Sequence, residues 1–131
     1  MNKIIAKEWL KAANDDLVLI SNIIDNESLT HLVAFHCQQA IEKSLKAILE
    51  YNNNNVPKRH DLLVLKDLVF DQIEVENEDM LEALNSFCTE SRYPGDLGLL
   101  PEGKPTTKDA EVFYDFAKNI YAQANELLIR N

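Results

Sequence analysis

The chain has 131 residues, a length that fits one domain and can bury a core without disulfides or a metal. It carries 13 Lys and Arg against 22 Asp and Glu, a net charge of -9, a poor fit to a protein that grips nucleic acid through many non-specific phosphate contacts. Only 3 glycines and 4 prolines argue against an all-β fold. The N-terminus, MNKIIAKEWLKAANDD, has no uninterrupted apolar region before a small-residue cleavage site. No apolar run approaches the ~20 residues of a membrane span, so a cytoplasmic protein is expected. Cys37 and Cys88 have no metal-ligand spacing and are expected to be reduced, buried thiols, with neither a metal nor a cofactor implied.

Apolar residues at spacings of three and four predict a first helix from about Lys3 to Ile24, with Ile5, Trp9, Ala12, Asp16, Leu19 and Ile23 on one face. Asp16 interrupts that face. Asp25 to Ser28 break the pattern, and Ser28 is a candidate cap for a second helix, about Leu29 to Tyr51. Leu32, Phe35, Ala40, Ile41, Ser44, Leu45, Ile48 and Leu49 form its apolar and small face. Four asparagines, Asn52 to Asn55, and then Pro57 end it. Asp61 opens a short third helix with Leu62, Leu65, Leu68 and Val69 inward.

From Asp67 to Glu90 there are eight carboxylates and no Lys or Arg, a composition that reads as a solvated face and connection. A fourth helix spans about Asn77 to Ser91, with Met80, Leu81, Leu84, Phe87 and Cys88 inward, closed by Arg92-Tyr93-Pro94-Gly95. A loop from Asp96 to Pro105 follows. Thr106 or Thr107 then caps a last helix to about Ile129, with Val112, Phe113, Phe116, Ala117, Ile120, Tyr121 and Ala124 inward. Three long helices, one medium and one short predict an all-α, antiparallel up-and-down bundle of four to five helices, one domain over residues 1–131. Ala12, Ala13, Ala40, Ala47 and Ala117 would let the helices approach closely.

The run FHCQQAIEKSLKAILE, Phe35 to Glu50, carries polar side chains in several directions and suggests a polar groove or a partner surface. His36, Gln39, Lys43 and Lys46 follow i, i+3, i+7, i+10 and share one stripe. Two lysines and a histidine there could receive a phosphate; an exposed edge between two packed faces is the alternative. Asp16 needs a partner, since an unpaired buried carboxylate is costly, and Arg92 is a candidate. Arg92 is otherwise a C-terminal helix cap, or with Tyr93 a phosphate fork at a loop mouth. Lys58-Arg59-His60-Asp61 is the one cluster of positive charge outside the helices, suited to a phosphate or to anchoring the chain through His60. No Ser/His/Asp arrangement, CxxC, HExxH, P-loop or GxGxxG is present.

Trp9 with Ala12 to Leu17, FHCQQAIEKSLKAIL, KRHDL and SRYPG, in that order and at those separations, resemble the HEPN domain family from about residue 7 to 127. The resemblance implies a bundle of four to five antiparallel helices that forms a homodimer. It also implies a partner, a separately encoded minimal nucleotidyltransferase, in a toxin–antitoxin-like pair, with a nucleotide as ligand. Other members are metal-independent ribonucleases marked by an Arg, four to six residues, then a His. If Arg92 is that Arg, the His position falls on Leu97, Gly98 or Leu99, and no His follows His60. RNA hydrolysis through the 2′-OH needs proton transfer, usually by His. The sequence therefore favours an accessory nucleotide-binding partner without its own catalysis. A ribonuclease using Arg92 and a purely structural interaction domain are the alternatives.

Overall fold

A computed structural model of the chain describes residues 3–90 and 105–130, with the backbone alone for 87–90. Five α-helices are formed: α1 (Lys3–Ile23), α2 (Thr30–Tyr51), α3 (Leu62–Leu68), α4 (Glu78–Glu90) and α5 (Thr107–Arg130). No strand occurs among the described residues, and the all-α antiparallel bundle predicted from the sequence is the fold of the chain.

α2 is the central element, packed by α1, α5, α3 and α4. Fifteen of its 22 residues are buried, so only a narrow stripe of it faces outward. Ala34, Ala40 and Ala47 of α2, Ala6 and Ala13 of α1 and Ala110, Ala117 and Ala124 of α5 are fully buried, which lets the helices close around Ile41, Leu45, Ile48 and Ile120. α1 and α2 are antiparallel: Trp9 lies against Lys46, whereas Asp16 reaches Lys43 and His36. The chain from 52 to 61 returns along α2, bringing His60 back to Glu42 before α3 begins.

Capping chemistry sets four of the helix ends. Asn53 sits in the left-handed region at φ 63°. Asn54 N–H donates to the Leu49 carbonyl and Asn53 N–H to Glu50, the Schellman closure that Gly usually supplies and Asn tolerates. Asn52 and Gln72 exchange amide hydrogen bonds and tie the end of α2 to the turn after α3. Asp61 accepts from the Leu63 and Val64 amides, as the sequence indicates. Asn77 caps α4 through the Met80 amide. Thr106, not Thr107, caps α5: its hydroxyl accepts from the Asp109 amide and its own amide donates to the Asp109 carboxylate, a reciprocal capping box.

Several expectations change. Ser28 does not cap α2. Asn26 instead caps a short 3-10 turn, Glu27–Leu29, that runs directly into α2. The apolar buried stripe of α1 is Ala6, Leu10, Ala13, Leu17 and Ile20, one position along from the predicted face, which leaves Ile5 and Leu19 exposed, while Asp16 is buried as predicted. α1 is apolar round more than half its circumference, so periodicity alone does not choose between the adjoining faces. Leu32, Leu68 and Val112, predicted inward, are also exposed, because each lies at the margin of its helix's apolar arc. The predicted inward places of Phe87 and Cys88, the Arg92 to Gly95 closure and the loop from Asp96 lie outside what is described.

Candidate functional site

Buried and partly buried polar side chains gather along α2 in two groups. In the first, the Asp16 carboxylate, brought in by α1, has both oxygens engaged: Oδ1 by His36 Nδ1 at 2.9 Å and Oδ2 by the Lys43 ammonium at 2.8 Å. His36 and Lys43 are seven residues apart, two helical turns, so one carboxylate fits between them. Arg92, the partner suggested by the sequence, lies outside the described residues.

The second group centres on Glu42, which is only 4% exposed. Its Oε2 accepts from the Lys46 ammonium at 3.0 Å, one turn on, and His60 Nδ1 lies 2.9 and 3.0 Å from the two oxygens. Gln38, one turn before Glu42, donates to Glu42 Oε1 and to the His60 carbonyl, and accepts from Gln39. The Lys46 ammonium also stands 5.5 Å from the Trp9 ring, a cation–π contact that helps compensate for its removal from water. Gln38, Glu42 and Lys46 therefore form a buried ladder at i, i+4, i+8 with every member partnered.

The sequence stripe thus divides. His36 and Lys43 serve Asp16, Lys46 serves Glu42, and Gln39 joins the second group through Gln38. His60 belongs to the same group, while Arg59 beside it is exposed. Arg92 and Tyr93 are outside the described residues. Glu42 and Gln38 belong to the polar run Phe35 to Glu50 without being candidate binding residues, yet they organise the second group. Their spacing carries the signal: a Glu four residues before a Lys and four after a Gln, so that the three share one helix face.

Chemically, each carboxylate is matched by neighbouring cationic or imidazole groups, so the groups are close to self-neutralised. His60 is the exception in exposure. Its side chain is 61% accessible, while Nδ1 is held by a carboxylate 5% accessible. That leaves Nε2 as the free ring nitrogen. Cys37, next to Gln38, is fully buried, and burial, with the Asp16 charge adding, pushes its thiol far above the ordinary range, so it is an inert core residue. No group of three or more His, Cys, Asp or Glu suited to a metal occurs among the described residues. Among them, no helix is long and apolar enough to cross a membrane.

A central helix wrapped by four others, with charged pairs threaded along it, defines the class as an all-α antiparallel bundle built round a polar ladder. The chain belongs to the HEPN domain family, whose model matches residues 6–127, the span over which the sequence resemblance runs. Among solved structures it is similar to ST0689, an archaeal HEPN homologue, at 21% identity and a TM-score of 0.66, over 94% of this chain and 97% of that one. At that identity the likeness concerns the fold. No curated protein matches the chain.

Proposed function

We propose that this chain is a non-catalytic HEPN partner module. It dimerises in the cytoplasm and pairs with a separately encoded minimal nucleotidyltransferase in a toxin–antitoxin-like system, contributing to a nucleotide or phosphate site at the shared surface. The observation that carries this reading is the outward face of α1 and α2. Its charges are already matched around Asp16, and it is flanked by Leu19 and Leu32, 43% and 38% exposed, one turn from Asp16 and His36 respectively. Exposed leucines beside self-neutralised charges suit a surface buried by another protein, because docking then strands no unpaired charge. Gln39 and the outer edges of His36 and Lys43 are the groups left to meet a nucleotide. The test is co-expression with a minimal nucleotidyltransferase encoded beside it. The two proteins should co-elute, and Leu19→Asp should release the partner while leaving the melting temperature within a few degrees. A chain that elutes as a lone monomer and binds no nucleotide would defeat the proposal.

The Glu42–His60 pair favours one second reading. An exposed imidazole oriented by a buried carboxylate is the arrangement a proton-transfer group needs. Beside Arg59, and with Arg92, it would support metal-independent RNA cleavage despite the missing late histidine. Cleavage of RNA by the wild type, lost in both His60→Gln and Arg92→Ala with folding retained, would establish this alternative over the partner module.

A further inference from the structure

A second surface lies on different elements from the α1–α2 face. α4 and α5 both pack on α2 and leave between them an open groove of about 320 Å3. Its floor is apolar: Met80 and Phe116 are half-buried, and Val112 is 42% exposed. Its rim is acidic, with Glu76 from the segment before α4 and Asp115 from α5. Asp79 and Glu111, each adjacent in sequence to a floor residue, are exposed as well. No Lys or Arg lines the groove. The nearest cation in sequence, Lys118, pairs with Asp115 at 3.3 Å and lies over the Tyr114 ring, while Glu76, Asp79 and Glu111 have no ion pair among the described residues. Beyond the groove, Gln123 bonds the Glu74 backbone at both its amide and its carbonyl, which fixes the segment leading into α4 against α5.

We infer that this groove docks a basic amphipathic helical segment of a partner polypeptide. An apolar side chain would enter between Met80, Val112 and Phe116, and Lys or Arg side chains on its flanks would meet Glu76, Asp79, Glu111 and Asp115. The choice of occupant rests on charge complementarity. A floor of this kind favours insertion of an apolar anchor. A rim with two carboxylates, Glu76 and Asp115, and with Asp79 and Glu111 exposed on α4 and α5, attracts cations and disfavours an acidic segment, a nucleic acid or a second copy of this acidic chain. The inference does not depend on the nucleotidyltransferase pairing, since it concerns other helices and a partner defined by its chemistry.

The test uses the full chain and a fluorescent helical peptide with leucines at i, i+4 and i+7 and Lys or Arg elsewhere. NMR shift mapping should place the peptide at Met80, Val112 and Phe116. Binding should weaken by about tenfold or more in Val112→Asp and in the charge reversal Glu76→Lys with Asp115→Lys, and should fall as salt is raised. All three positions are solvent-accessible, so the variants should keep the wild-type melting temperature, and Leu19→Asp, on the other face, should bind as the wild type does. The inference is overturned if the wild type does not bind the peptide, or if the same peptide with serines for leucines binds equally well. It is also overturned if Leu19→Asp loses binding while Val112→Asp keeps it, which would place the peptide on the α1–α2 face.

Discussion

At the scale of single residues, the buried pairs along α2 combine high cost with high specificity. Removing one member of a buried ion pair typically costs about 3–5 kcal/mol, because the partner is left charged and unpaired. Glu42→Ala strands Lys46, only 5% exposed, and also releases His60 and the Gln38 amide. We expect urea denaturation to show a loss near that range, and a markedly smaller loss for the double variant Glu42→Met with Lys46→Met, which buries no charge. A double variant as unstable as the single would show that the ladder's value lies in its hydrogen bonds and not in relieving a stranded charge. Cys37 sets a pH dependence. Its folded thiol is raised far above the ordinary value of 9.0, whereas the unfolded thiol ionises near that value. The unfolded state therefore sheds a proton that the folded state keeps. Stability is untouched below about pH 9 and falls above it, by up to about 1.4 kcal/mol per pH unit. Cys37→Ala should remove that slope, measured as urea midpoints between about pH 8 and 10.5. Parallel pH profiles for the two proteins would contradict the burial.

At the scale of elements, the ends of the helices are where local chemistry decides. Asn53 holds a left-handed backbone that a Cβ without a compensating polar group disfavours by about 1–2 kcal/mol. Asn53→Ala should cost about 1 kcal/mol, while Asn53→Gly should be neutral or slightly stabilising, checked by thermal melts. Thr106→Ala removes the hydroxyl half of the α5 capping box, leaving the backbone half, and should cost about 1 kcal/mol, with faster amide exchange in the first turn of α5. Most of these features are legible in the sequence. The asparagine run, Asp61 before Leu62 and the threonines before Lys108 mark real helix ends, because capping uses side chains local to the turn. The angular placement of α1 is less legible. A helix apolar on more than half its surface offers two adjoining faces, and only its packing against α2 and α5, which buries Ala6 and Ala13, selects one. The polar ladder hides for a related reason: Gln38 and Glu42 look solvent-facing until the returning 52–61 segment covers them.

At the scale of the whole molecule, the resemblance carried by scattered short motifs defines the family, and the bundle follows from helical periodicity that survives across the chain. Function is less legible, because groups such as Asp16 and Glu42 find their partners in distant segments of the chain. Asp16 is a lone acid in sequence and a doubly satisfied one in the fold, both its oxygens engaged by side chains of α2. On the proposed function, the α1–α2 face joins proteins instead of cutting RNA. Light scattering on the co-expressed pair tests it most directly. The expected result is one assembly whose mass holds two copies of this chain together with the nucleotidyltransferase, reduced to separate proteins by Leu19→Asp. A wild-type chain that elutes as a monomer, apart from the nucleotidyltransferase, would contradict it.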